Sequence, residues 1–144
     1  MKNLISIIFF AAIFCSCENP STKELGYGYF LTHNSMGDYA IAKPINGYST
    51  SETFSYTIYG AIVSFDFDSL YLIAAERPRD SVPEIENLPY NDAQRLFKQS
   101  NFSQYYILNK KKDKLYGPYT WLTFNVKRKE FNVSDKLNMT ANSL

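Results

Sequence analysis

The stretch that decides the fold is AIVSFDFDSLYLIAAE, residues Ala61 to Glu76. Its first half alternates Val63, Phe65 and Phe67 with Ser64, Asp66 and Asp68. That is the period-two pattern of a strand with one apolar face. Asp68-Ser69 has turn chemistry, and Leu70 to Glu76 runs back as the partner strand. An antiparallel hairpin therefore sets the class.

The flanking segments follow the same logic. Tyr27 to His33 places Tyr27, Tyr29, Leu31 and His33 on one strand face. Ser35 to Asp38 is a turn, and Tyr39 to Lys43 returns until Pro44 stops it. Ile45 to Thr53 is looser, with Asn46-Gly47 as a turn signal, and Phe54 to Tyr59 is a strand ending at Gly60. Arg77 to Pro89, rich in proline and charge, is a surface loop. Asn91 to Gln99 is a short helix that Asn91 or Asp92 caps.

A second hairpin pairs Gln104 to Asn109 with Lys114 to Gly117 across the turn Lys110 to Asp113, and Gly117-Pro118 ends it. Tyr119 to Phe131 reads as the best long helix, with Thr120 as its cap and Trp121, Leu122, Phe124, Val126 and Phe131 as its apolar positions. The tail from Ser134 is polar and is expected to fray. The total is an α+β fold: an antiparallel sheet of about six or seven strands with two helices.

The N-terminus carries a different message. Lys2 is followed by an apolar run from Leu4 to Phe14, broken only by Ser6, and then by Cys15-Ser16-Cys17 and the polar Glu18-Asn19-Pro20. A run of about eleven residues spans about 16 Å as a helix, against about 30 Å of bilayer core, and suits a cleaved signal. Phe14-Cys15-Ser16-Cys17 resembles the lipobox of bacterial lipoproteins, with small Ser16 before the cut. That resemblance implies cleavage between Ser16 and Cys17, diacylglycerol on the Cys17 thiol and acylation of the new amine. Two or more acyl chains anchor stably, where one is marginal. The expected organisation is a signal peptide over 1–16, a lipidated tether over 17–24, one domain over 25–133 and a polar tail over 134–144.

Composition narrows the role. The chain has 144 residues, 15 Lys+Arg against 14 Asp+Glu, 45% apolar and 17% aromatic content. Loss of Lys2 with the signal leaves the mature charge balanced, which argues against nucleic acid as partner. The apolar content is too high for disorder. Both cysteines, Cys15 and Cys17, lie at the cleavage site. The domain therefore has no disulfide and no thiolate metal site.

Two blocks together resemble a family of small bacterial lipoproteins catalogued as a domain of unknown function. One is the hairpin Val63 to Glu76; the other is Tyr105 to Asn109, a basic turn, then Tyr116-Gly-Pro-Tyr119 and the helix through Phe124. The likeness covers roughly Tyr27 to Val133. Asn109 stands where such proteins usually carry Asp. The resemblance implies architecture and cellular address, and no reaction.

No catalytic motif is present. His33 is the only histidine and fits a half-exposed hairpin position. Asp66 and Asp68 share a strand face and could hold a cation with Ser64 or Ser69, although a solvated strand face explains them as well. Glu84 and Glu86 lie in the proline-rich loop. Lys110-Lys-Lys-Asp-Lys114 reads as a solvated turn that discourages edge aggregation, with anionic head groups as its other reading. Tyr27, Tyr29, Tyr105 and Tyr106 are the candidates for a recognition surface, because tyrosine offers apolar area with a polar tip. Asp68-Ser69-Leu70 and Asp80-Ser81-Val82 match a short O-glycosylation pattern of exported bacterial proteins.

The expectation is a non-enzymatic lipoprotein of the bacterial cell envelope. It sits at the outer membrane, facing the periplasm or the surface, and its lipid on Cys17 is its only attached group. It binds a protein or glycan partner, without metal or other cofactor. The alternatives are an envelope hydrolase using Asp66, Asp68 or His33, and an inhibitor that presents the loop Arg77 to Glu86.

Overall fold

The computed structural model describes residues 22–45 and 54–139. The signal segment with Ser16 and Cys17, the first part of the tether, the Asn46-Gly47 turn and the last residues of the tail lie outside the described residues.

Among the described residues, eight strands form two four-stranded antiparallel meanders. The first sheet runs β1 (Lys23–Gly26), β2 (Tyr29–His33), β3 (Tyr39–Pro44) and β4 (Phe54–Ile58), in that order. The second runs β5 (Ala61–Phe67), β6 (Tyr71–Arg77), β7 (Gln104–Asn109) and β8 (Lys114–Tyr119). The described residues also form two ten-residue helices, α1 (Tyr90–Gln99) and α2 (Trp121–Glu130). The class is α+β, with more strands than the sequence suggests and with the strands divided between two sheets.

The sheets pack face to face. Leu25, Tyr29, Leu31, Ile41 and Ile58 of the first sheet bury against Ile62, Phe65, Leu72, Ala74 and Leu108 of the second. On the far face of the second sheet, Ile73, Ala75 and Ile107 meet Phe124 of α2 and the segment carrying Val133, Leu137 and Met139. The second sheet is thus the middle layer, covered on both faces. This explains why β6 reads apolar from Leu72 to Ala75: successive residues of a strand point to opposite sides, and here both sides are dry. Each large side chain buried in this way contributes about 1.5–3 kcal/mol.

Several local readings change. Lys23 and Glu24, expected in the tether, belong to β1, which pairs with β2 across Tyr27-Gly28. The strand expected from Tyr27 therefore starts at Tyr29, because Tyr27 lies at φ 55 and Gly28 at φ 74, left-handed turn conformations. In β5 the register shifts between Ile62 and Ser64. That bulge turns Val63 toward the α2 layer while Phe65 faces the first sheet.

The helix expected from Asn91 starts at Tyr90, with Pro89 as its N-cap and no side-chain cap. The polar tail expected from Ser134 packs at least as far as Met139, because its sparse apolar residues insert under α2. The strand expected to end at Gly117-Pro118 runs on to Tyr119 as β8, so the helix expected from Tyr119 starts at Trp121. The Thr120 side chain accepts from the Thr123 N–H at the start of α2 as expected, and the loop expected from Arg77 begins at Pro78, after the last residue of β6, and contains two short 3-10 turns.

Candidate functional site

The layer of α2 on the second sheet leaves an aromatic cleft. Tyr105 on β7 points toward α2, and its ring centroid lies 5.1 Å from Trp121 and 5.4 Å from Phe124. Trp121 stacks on Phe124 at 5.7 Å. Phe124 is fully buried, whereas Trp121 is 50% exposed. The cluster is therefore anchored from below and open above. A cleft of about 700 Å³ opens on one side, lined by Ser64, Ser103, Tyr105, Trp121, Arg128 and Met139 among others. A second of about 370 Å³ shares Ser103, Tyr105 and Trp121 with it and adds Asn101, Phe102 and Gln104.

Local sequence explains why α2 stays open. A helix of ten residues presents only one stripe to a sheet, and here the stripe runs through Phe124. Leu122 and Val126 point outward and are exposed, as is Phe102 nearby. The floor of the larger cleft is held by Arg128. Its guanidinium Nη2 donates to the carbonyls of Ser134 (2.9 Å) and Leu137 (3.0 Å), and it lies 5.7 Å from the Phe124 ring. It thereby pins the C-terminal segment onto the sheet.

The four tyrosines named from sequence do not form one surface. Tyr29 is fully buried between the sheets, and Tyr27 is exposed in the β1–β2 turn. Tyr105 and Tyr106 are neighbours on one strand, so they face opposite sides: Tyr105 toward α2, Tyr106 toward the first sheet. Only Tyr105 joins the cleft. Its principal partner, Trp121, was legible only as an apolar helix position.

The acidic and histidine candidates are not brought together. Asp66 accepts from the Phe67 N–H at 2.9 Å and the Asn138 N–H at 2.6 Å. One oxygen of Asp68 accepts from the N–H groups of Leu70 and Tyr71, both at 2.7 Å, which closes the hairpin turn. His33 belongs to the other sheet, where its ring rests on Tyr39 at 4.3 Å. Among the described residues no three His, Cys, Asp or Glu side chains cluster closely enough to hold a metal ion.

Glu84 and Glu86 are exposed in the loop. That loop is itself tied down: Val82 packs with Phe97 and Ala61, and Arg77 and Arg79 lie over the Phe97 ring at 5.7 and 5.5 Å. Ser69 is exposed at its hairpin tip, while the Ser81 hydroxyl is buried without a partner.

The basic turn is more than a solvated tip. Lys110 is 3% exposed, and its ammonium donates to the carbonyls of Leu25 and Asp68, both at 2.5 Å. Burial pushes its pKa below the ordinary lysine value, only partly opposed by the Asp68 charge. Asp113 accepts from Lys43 at 2.8 Å and from the Tyr29 hydroxyl. The Lys43 hydrogen bond, then that of Tyr29, holds its carboxyl below the usual range. Burial, then the Asp113 hydrogen bond, pushes the Tyr29 hydroxyl well above its ordinary value. These contacts fasten the β7–β8 turn to the first sheet and leave Lys111, Lys112 and Lys114 exposed.

Among the described residues no helix is long and apolar enough to cross a membrane. Comparison with known families finds that residues 26–143 match the model described as "Protein of unknown function (DUF3997)". No curated protein and no solved structure matches the chain.

Proposed function

We propose that this chain, which belongs to the DUF3997 family, is a non-catalytic lipoprotein of the bacterial cell envelope that holds a glycan in the cleft beside Trp121. The observation that carries the reading is the half-exposed Trp121, backed by Tyr105 and Phe124 and flanked by two clefts. An exposed aromatic ring offers apolar area to the carbon–hydrogen face of a sugar ring. The surrounding Ser64, Asn101, Ser103, Gln104 and Arg128 supply neutral and cationic hydrogen-bonding groups for its hydroxyls. A purely hydrophobic peptide would leave those groups without partners, which costs affinity.

The lipid on Cys17 places the domain at a membrane of the envelope, in this reading the outer membrane. Tethering raises the effective concentration at a polymer fixed nearby, so a weak single site suffices. Asp66, Asp68 and His33 are committed to backbone or ring contacts in separate places, so the hydrolase alternative lacks a convergent set of groups.

Trp121 is the only tryptophan, so its emission reports this site alone. Soluble envelope glycan fragments should shift that emission saturably, and Tyr105→Ala should weaken the response at least tenfold. A response to peptides but not to glycans would replace the ligand class; no response to either would remove the site. The anchor is checked separately, because Cys17→Ser should abolish acyl labelling and membrane fractionation. Continued partition of that variant with membranes would defeat the lipoprotein reading.

A further inference from the structure

A second cleft lies at the seam between the two sheets. It has a volume of about 480 Å³ and is lined by Asn34, Asp38, Tyr59, Glu76, Arg79 and Tyr106, among others. Its chemistry is unlike that of the aromatic cleft. Glu76 is only 9% exposed, yet no cation pairs with it among the described residues: the ion pairs are Lys43–Asp113, Arg79–Asp38, Arg95–Asp92 and Lys127–Glu130. The neutral hydroxyl of Tyr106 is its polar neighbour, and that hydroxyl donates to Gln104 Oε1 at 3.4 Å. A buried carboxylate without a cationic partner costs several kcal/mol, so its persistence calls for an explanation.

The chain makes room for that carboxylate. A Cβ on Gly60 would fall 1.6 Å from Glu76 Oε1 and 2.4 Å from its carboxyl carbon. Glu76 thus rests directly on the Gly60 backbone, a seat that any larger residue would fill. Other wall residues are held by contacts of their own. Asn34 donates to the Tyr59 carbonyl at 2.8 Å and accepts from the N–H groups of Met36 and Asp38. Tyr59 is fixed through its hydroxyl to Ser35 at 2.8 Å and through its ring to Tyr56 at 5.0 Å. Asp38 meets Arg79 at 3.5 Å, a loose pairing.

The local field is negative. Burial, then the hydrogen bond and charge of Glu76, then the charge of Asp80, push the Tyr106 hydroxyl well above the ordinary tyrosine value. Among the lining residues two carboxylates, Asp38 and Glu76, face a single cation, Arg79.

We propose that this seam cleft is a binding site for a primary ammonium group, with Glu76 as its counter-charge and Tyr59 and Tyr106 as its aromatic walls. An ammonium has three donors and a compact charge, which suits one buried carboxylate beside a second, Asp38. It also gains from the faces of tyrosine rings. The group can arrive on a free diamine or on the lysine side chain of a peptide. The inference stands on the sheet seam and does not depend on the aromatic cleft or on lipidation.

The test uses the full chain in detergent micelles, titrated separately with 1,5-diaminopentane, N-acetyl-lysine amide and the neutral isostere 1,5-pentanediol. The readout is the NMR shifts of the Gly60 amide and the Tyr106 ring. Either ammonium probe should shift both signals saturably, and the diol should not; the probe that saturates at the lower concentration identifies the source. Glu76→Gln, which keeps the shape and removes the charge, should weaken the amine at least tenfold. In the wild-type chain, raising salt from about 50 to about 300 mM should also weaken it, since screening acts on a charge pair, so the inference can be judged even if Glu76→Gln does not fold. A diol that binds as well as the diamine, an amine response insensitive to both Glu76→Gln and salt, or no saturable shift would each overturn the proposal.

Discussion

Gly60→Ala is the most informative single substitution, because its cost arises from one identified neighbour. The added methyl would sit 1.6 Å from Glu76 Oε1, 2.4 Å from the carboxyl carbon and 2.7 Å from Cγ. All three atoms belong to one side chain, so Glu76 must leave its seat or the β4–β5 corner must open. Overpacking of this kind costs about 1–3 kcal/mol. Gly60 is outside the left-handed region, so alanine carries no backbone strain there. By restricting the unfolded chain it would by itself stabilise by about 0.4–1 kcal/mol.

These two terms separate in a double-mutant cycle. Against wild-type Glu76, Gly60→Ala should destabilise by about 2 kcal/mol. Against Glu76→Ala it should be neutral or mildly stabilising, because the space it needs is empty. The coupling energy is then about 2 kcal/mol or more, within the range expected for residues in contact. Urea denaturation followed by circular dichroism measures all four corners. An equal loss from Gly60→Ala in both backgrounds would refute the reasoning, since the cost would then lie in the backbone or in another neighbour.

Two further outcomes are expected. The Tyr29 and Tyr106 hydroxyls both have raised pKa values in the folded chain, so the stability they contribute is fully present below the ordinary tyrosine value of about 10. It is lost as pH rises from there toward the folded values, because the unfolded chain then releases protons that the folded chain keeps. Tyr106→Phe should flatten the alkaline limb of a stability–pH curve above about pH 10; an unchanged limb would show that this hydroxyl is not coupled to folding. On α2, Phe124→Ala should cost about 3–5 kcal/mol, while Leu122→Ala, at an exposed position, should stay within about 0.5 kcal/mol. Comparable losses in chemical denaturation would mean that α2 is rotated relative to the sheet.

Much of the local structure was legible because it depends on neighbours in the chain. The hairpin of β5 and β6 follows from alternation and from Asp68, whose side chain caps its own turn. The cap of α2 follows from Thr120 alone. Less legible were features set by contacts between distant segments. Strand β1 is too short and polar to declare itself, and only pairing with β2 and the burial of Leu25 make it a strand. The tail after Ser134 looks polar because its apolar residues are sparse, yet Leu137 and Met139 find a surface under α2.

The candidate sites divide along the same line. The tyrosines were visible as residue types, but their faces were not: one bulge or one residue of register decides which side a strand side chain takes. Tyr105 and Tyr106 therefore part company, and Tyr29 goes to the core. Lys110 looked like one more charge in a basic turn, and only the arrival of the Leu25 carbonyl makes it a buried clamp between the sheets. Glu76 reads as the polar end of a strand until Gly60 is brought beneath it.

By itself the sequence determined the α+β class, the antiparallel hairpins and the two helices, because periodicity, turn residues and caps act over a few bonds. Only the tertiary structure decided that the strands divide into two sheets, that the second sheet is covered on both faces, and that Trp121 and Glu76 each open on a cleft. Those outcomes depend on which apolar faces meet and which polar groups are trapped between them. Such long-range burial leaves no period in the chain that could announce it.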